Sequence, residues 1–378
     1  MTRYLACIGT RPEIIKMASL HRVLKARGAS IRVLHTGQHE EVAHVLYRFF
    51  GMGPDVQIRL RRQSPRLGNL TADLLDNVDR VIGETRPDVV LVQGDTSSAL
   101  AGALAGYYND RPVAHIEAGL RTGERDPFPE EKNRELIGRL AHWHFPPTAQ
   151  SRDNLLREGV PAAQVHLVGN TVIDTALWVR ENLAEDAVAA LPAPLPGFLA
   201  AHPGAHLLLV TAHRRENWGP PIRNIATAVG RLLCKHPRLI AVWPLHPNPA
   251  VRNDVRQVFH ALSPGHRARA CLTAPLDYLA LITVLAHCHF TLTDSGGIQE
   301  EASALARPVL IARDSTERQE LVHAGGARLV GTDADRIVEE ASRLLEQPEV
   351  YRAMQLTTSP FGDGHSAERI ADILSPTT

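Results

Sequence analysis

Three carboxylates stand where a proton could be moved at carbon. Asp95 closes the apolar run VVLVQGD (89–95), Glu117 lies just past VAHI in HIEAGLRT (115–122), and Glu131 follows Pro129 in DPFPEEKNREL (126–136). A carboxylate at a strand end in a partly buried cleft can have its pKa raised and act as a base. Proton transfer at carbon needs such bases and acids in one place. Each also has a purely structural reading. Asp95 could cap the small-residue helix that follows, and Glu130 and Glu131 in a first helical turn suit the helix dipole.

A second set of residues suits an anion. IGTRPEIIK (8–16) has Gly9 at a turn, Pro12 at a helix start, and Arg11 and Lys16 supplying positive charge, Arg11 in a form that grips phosphate with two parallel bonds. TAHRREN (211–217) adds His213, Arg214 and Arg215, and WPLHPNP (243–249) adds His246, cations that could balance a diphosphate. TDSGGIQEEA (293–302) places Ser295, Gly296 and Gly297 where a helix N-terminus presents amides to an anion, with Glu300 and Glu301 a turn later. Arg318, in RDSTERQE (313–320), is expected to reach toward the same turn.

Other chemistries find little support. No GxGxxG occurs, so a tightly held nicotinamide is not expected. His142 and His144 form HxH, but no cysteine or carboxylate follows at zinc-like spacing, and no metal is expected. The 41 basic and 41 acidic side chains cancel, which argues against a nucleic-acid or anionic-membrane footprint. Four scattered cysteines read as reduced thiols. With no run of 18 apolar residues and an N-terminus unlike a signal peptide, a cytoplasmic protein is expected.

The elements that must hold these residues are short apolar runs alternating with helical patterns, the mark of βαβ units and parallel sheets. Strands are expected over 4–9, 31–37, 89–95, 113–119, 143–148 and 165–170, and again over 206–213, 239–246, 268–274, 289–294, 308–314 and 327–332. A Pro- and Ala-rich stretch, 187–204, reads as a linker or loose helical connection. The expectation is an α/β chain of two Rossmann-type doubly wound domains, 1–172 with a terminal helix (364–378) packed back on it, and 173–363. Nearly every polar cluster lies at the carboxyl end of a strand, where open parallel sheets bind ligands. An active-site cleft between the two domains would collect them.

Taken in order and spacing, GTRPEIIK, TGQH, VLVQGDT, HIEAGLRT, PFPEEKNR, GNTVID, TAHRREN, TDSGGIQEEA and GDG resemble the non-hydrolysing UDP-N-acetylglucosamine 2-epimerases from one end of the chain to the other. The resemblance implies a GT-B-like fold, a homodimer, no metal or redox cofactor, and interconversion of UDP-N-acetylglucosamine and UDP-N-acetylmannosamine. The implied route eliminates UDP across C1–C2 to a 2-acetamidoglucal and adds it back. By motif matching, Asp95, Glu117 and Glu131 become the acid–base candidates and His213 the support of the diphosphate or leaving oxygen. Arg11, Lys16, His246, Ser295, Gly296, Gly297, Glu301 and Arg318 become nucleotide-binding candidates. Glu301 would face the ribose hydroxyls, while Glu300, about 100° further round the helix, reads as structural. Glu41 and Asp73 stand where relatives place residues that bind an activating second substrate, which implies weakened activation. A hydrolysing epimerase and a GT-B glycosyltransferase are the alternative readings.

Overall fold

In the computed structural model, residues 1–38, 43–61, 64–184 and 186–375 are described. Contacts divide the chain into two units, Met1–Thr175 with Phe361–Thr378, and Ala176–Pro360.

The first unit carries a parallel sheet of β1 (Arg3–Ile8), β2 (Ser30–His35), β3 (Val56–Gln57), β4 (Val89–Gln93), β5 (Val113–Ile116) and β6 (Trp143–Phe145), in the order β3-β2-β1-β4-β5-β6. Strands β1 and β4 are buried almost throughout, because helices cover both faces of such a sheet. The helix Ser97–Tyr108 runs close against it, and its small residues explain how. A Cβ on Gly102 would lie 2.9 Å from Val92 and 3.0 Å from Cys7, and one on Gly106 would lie 2.7 Å from Val113. The C-terminal helix Ser366–Leu374 packs on the helix Arg11–Ala26. The Asp174 carboxylate accepts from the Ala367 amide at 2.7 Å, and the Tyr4 hydroxyl donates to the Leu374 carbonyl at 3.1 Å.

The second unit repeats the plan with β7 (His206–Thr211), β8 (Leu239–Pro244), β9 (Ala270–Thr273), β10 (Phe290–Thr293), β11 (Val309–Ile311) and β12 (Ala327–Leu329), ordered β12-β11-β10-β7-β8-β9. Read from its other edge, that order matches the first sheet strand for strand. Trp243, Phe290, Ile222, Val229 and Ile337 are among the side chains filling its core. Each sheet reverses its winding once, at β1/β4 and at β7/β10, and such switch points are where doubly wound sheets open a crevice for ligands.

Two strand expectations differ from the structure. The run 165–170 forms no strand and contributes only a bridge from Val165 to His144, while β3, two residues long, was not foreseen. The Pro- and Ala-rich stretch contains a short helix, Leu195–Ala200, anchored by buried Leu195. Among the described residues, no helix is long and apolar enough to cross a membrane.

Candidate active site

In the first unit the three acids meet at the carboxyl ends of β4 and β5. Asp95 follows Gly94, which takes φ +69° to turn the chain out of β4. Asp95 does not cap the next helix. Thr96 does so, its hydroxyl accepting from the Ala99 amide at 3.0 Å. The Asp95 carboxylate is instead gripped by Arg134, whose Nε and Nη2 both donate to Oδ2, the first at 2.9 Å. Nη1 of the same arginine donates to Glu131 Oε2 at 3.2 Å, so one guanidinium joins two acids. Glu131 does more than complement a helix dipole. Its Oε1 accepts from the amides of Thr122 and Gly123 at 2.9 and 3.0 Å, holding the loop after β5.

Glu117 completes the cluster from β5. It adopts φ +64°, a left-handed backbone that costs a non-glycine residue about 1–3 kcal/mol and tends to persist where function requires it. Its Oε1 accepts from Lys16 Nζ and from Asn170 Nδ2, the latter at 3.0 Å, and its Oε2 accepts from Gln93 Nε2. The three acids therefore differ in what their oxygens have left to do. Both oxygens of Glu117 and of Glu131 are occupied by donors. Among the described residues, nothing donates to Asp95 Oδ1. Burial pushes the Asp95 carboxyl above its ordinary value, and the charge on Glu117 adds to the push against the pull of Arg134 and Lys16.

Arg11 stands exposed at the first position of its helix, and Lys16 is committed to Glu117. Between them lies Glu13, a buried acid with no assigned role in the sequence reading. It accepts from the Gly9 amide at 3.1 Å and from the Thr96 hydroxyl at 2.8 Å, tying the turn after β1 to the turn after β4. Burial raises its carboxyl from 4.5 to about 7. Below the lower value Glu13 is neutral folded or unfolded. As pH rises toward 7 the unfolded chain ionises first, so this group removes stability over that window. The buried His115 and His144, held down to about 3 and about 4 by desolvation, contribute with the opposite sign as pH rises. The clean observable is therefore a difference. Urea-unfolding stability of Glu13→Gln minus that of the wild-type chain should increase by up to about 3 kcal/mol between pH 4.5 and 7. A flat difference would mean that Glu13 is ionised at neutral pH as an ordinary glutamate is.

In the second unit the candidates collect at the ends of β7 and β10. Ser295 is the N-cap of the helix Gly296–Ala304 but makes no capping bond with its side chain. Arg318 lies over the turn. A Cβ built on Gly296 would come within 3.2 Å of the guanidinium carbon, so a larger residue there would push the cation back by a few tenths of an ångström. Glu300, read as structural from its place on the helix, is what holds that cation. Its Oε1 accepts from Arg318 Nε at 2.8 Å, and both side chains are largely buried. Glu301 is buried as well, with the Tyr278 phenol beside it. Burial first, and then Glu301, push that phenol well above its usual range.

His213 is exposed just past β7, and the His246 ring lies nearly parallel to it, 9° apart in plane with centroids at 6.5 Å. His246 Nδ1 accepts from the Asn248 amide at 3.1 Å, and burial and then neighbouring His213 lower its pKa. Of the other cations at this strand end, Arg214 lies 3.5 Å from Glu317, which Arg313 also holds, while Arg215 is exposed. His144 is buried on β6 opposite His115 on β5, and no group of three metal-ligating side chains occurs among the described residues. Glu41 lies outside the described residues. Asp73 accepts from the Arg61 amide at 2.6 Å and from Asn77 Nδ2 at 3.0 Å.

The missed partners share one trait. Arg134, Gln93, Asn170 and Glu13 act on other groups of the site. Arg134 had a clear local signal, three residues after Glu131 on one helix face, and Gln93 a faint one, closing the buried strand β4.

Known proteins carry the same plan. The family profile for UDP-N-acetylglucosamine 2-epimerase matches residues 22–375. The UDP-N-acetylglucosamine 2-epimerase of Escherichia coli K12 is 42% identical over 375 residues, 98% of either chain. The crystal structure of UDP-GlcNAc 2-epimerase from Neisseria meningitidis bound to UDP-GlcNAc superposes with a TM-score of 0.87 at 38% identity, covering 99% of both chains. That of the Methanocaldococcus jannaschii UDP-GlcNAc 2-epimerase in complex with UDP-GlcNAc and UDP gives 0.77 at 31%, again over 99% of each. The paired Rossmann-type units are thus of the GT-B-like kind. With the family profile matching residues 22–375 and 42% identity to a member over nearly its whole length, the chain belongs to the UDP-N-acetylglucosamine 2-epimerase family.

Proposed function

We propose that the protein interconverts UDP-N-acetylglucosamine and UDP-N-acetylmannosamine without hydrolysis, by eliminating and re-adding UDP. The observation that carries this reading is the acid cluster around Arg134 and Lys16. Three carboxylates share two cations there, and only Asp95 keeps an oxygen to which no described residue donates.

The C2 hydrogen of the sugar has no adjacent carbonyl, so it is removed only as a leaving group departs from C1. Asp95 Oδ1 takes the C2 proton. The C–H electron pair becomes the C1=C2 double bond of 2-acetamidoglucal, and the C1–O bond breaks with its pair going to UDP. In the second half a proton reaches C2 on the opposite face and a diphosphate oxygen re-forms the bond to C1. Protons and electrons balance, and no redox partner is consumed. For Glu131, linked to Asp95 through Arg134, or Glu117, held by Lys16, to deliver that proton, it must carry one in place of a donor its oxygens now accept from, and the proton left on Asp95 passes back to it to close the cycle. Burial raises the Asp95 carboxyl above its ordinary value, which favours a group that takes up a proton and holds it.

Nucleotide binding falls to the second unit, with Ser295 and the amides of Gly296 and Gly297 on the diphosphate, Arg318 neutralising it, Glu301 on the ribose, and His213 and His246 on the leaving oxygen. Arg11, exposed at its helix start, is a further candidate for a phosphate. The reading includes a homodimer. The exposed Tyr107, Tyr108 and Leu136, on two helices that pack together, give such an assembly apolar surface.

Glu300→Gln should raise the Kd for UDP about tenfold by calorimetry, roughly 1.4 kcal/mol, since Arg318 loses its charged anchor; unchanged affinity would mean that Arg318 does not meet the nucleotide. The activity itself is tested by incubating the protein with UDP-N-acetylglucosamine and separating products by anion exchange. UDP-N-acetylmannosamine should appear without accumulation of UDP, whereas UDP with free sugar would identify a hydrolase.

A further inference from the structure

Asp294, at the end of β10, is completely buried and carries no assigned role. Its Oδ2 accepts three hydrogen bonds, from the amides of His213 and Arg214 at 2.8 Å each and from Asn217 Nδ2 at 2.9 Å. Its Oδ1 is buried and accepts none, yet it lies 3.5 Å from His213 Nδ1. A carboxylate oxygen without a donor inside a protein is costly, and the His213 ring nitrogen, 3.5 Å away, is a group able to supply one. Hydrogen bonds of this kind are often long in the free enzyme and shorten when ligand arrives.

We infer that Asp294 is the positioning residue of His213, its Oδ1 accepting the Nδ1–H and leaving Nε2 as the nitrogen that meets the ligand. The inference rests on the reading that His213 serves the leaving diphosphate. Asp294 immediately precedes Ser295, so the same side chain ties the loop bearing His213 to the turn bearing the Ser-Gly-Gly amides. When His213 carries both protons, Nε2–H donates to the leaving oxygen while the carboxylate balances the ring charge from behind.

Asp294→Asn separates this role from a merely structural one. Three donors converge on the Oδ2 position, so the amide oxygen of the variant takes that place and its NH2 group faces His213. Nδ1 must then accept, and the neutral ring must carry its proton on Nε2. Nε2 can still donate, but no carboxylate then balances a doubly protonated ring, so the positive charge set against the leaving diphosphate is lost. For the exposed His213 we expect a loss of about a hundredfold in kcat, with KM changed by less than about threefold.

The experiment is 15N NMR of histidine-labelled, UDP-bound protein at alkaline pH, with His213→Gln used to assign the resonances, alongside kinetics. Expected are an Nδ1–H tautomer at His213 in the wild type, an Nε2–H tautomer in Asp294→Asn, and the fall in kcat. An Nε2–H tautomer in the wild type overturns the inference, as does a variant whose tautomer is unchanged or whose kcat survives the switch. Should the variant fail to fold, the wild-type tautomer alone decides. Absence of epimerisation in the wild type would sink the functional reading instead, and the tautomers would still be read independently of it.

Discussion

Asp95→Asn should bind UDP as the wild-type chain does and exchange the C2 hydrogen of UDP-N-acetylglucosamine at least about a thousandfold more slowly. An amide keeps the shape of the carboxyl group and can still accept from Arg134, so the fold around the cluster should survive. What it cannot do is take a proton at the position of Oδ1, where nothing else in the described structure donates. Glu117 and Glu131 differ, because hydrogen bonds from Lys16, Asn170, Gln93, Arg134 and two loop amides already fill their oxygens. Deuterium exchange at C2 followed by NMR, with UDP affinity measured in parallel, separates loss of chemistry from loss of binding. Exchange within about tenfold of wild type would move the base to one of the two glutamates.

Arg134→Met should destabilise the chain by about 3 kcal/mol and lower kcat about a hundredfold, because it strips two acids of one shared cation. The arginine side chain is 11% exposed and Glu131 only 1%, so little water is available to replace the lost charge. The test is urea unfolding of three chains, wild type, Arg134→Met and Arg134→Met with Asp95→Asn. Removing one of the stranded carboxylates should recover part of the lost stability while leaving the enzyme inactive. A single variant as stable as wild type would show that the acids do not depend on this guanidinium.

The sheet was legible because its signals are local. Buried parallel strands read as unbroken apolar runs, and the polar residue closing each run marks the carboxyl end where a ligand site forms. VVLVQGD and HFTLTD are plain cases, and both end at a switch point. The same rule misread 165–170, where an apolar run lies past the three-residue edge strand β6 and finds only one bridge. It passed over β3 because two residues carry no periodicity. Side chains that could touch a ligand were visible by type and place. Those that hold them were not, since Asn170, Glu13 and Asp294 reach their partners only after distant turns converge. Gln93 had a faint signal, a polar side chain closing the buried strand β4. Asp294 lay inside the most conspicuous motif of the chain and still read as the residue before the serine.

The most direct test of the account is the fate of C2 in heavy water. The protein is incubated with UDP-N-acetylglucosamine in D₂O without any acceptor, and the sugar is followed by NMR. Deuterium at C2 in both epimers, with UDP still attached, is the predicted result. Free N-acetylmannosamine with UDP, or no deuterium at C2 at all, would contradict it.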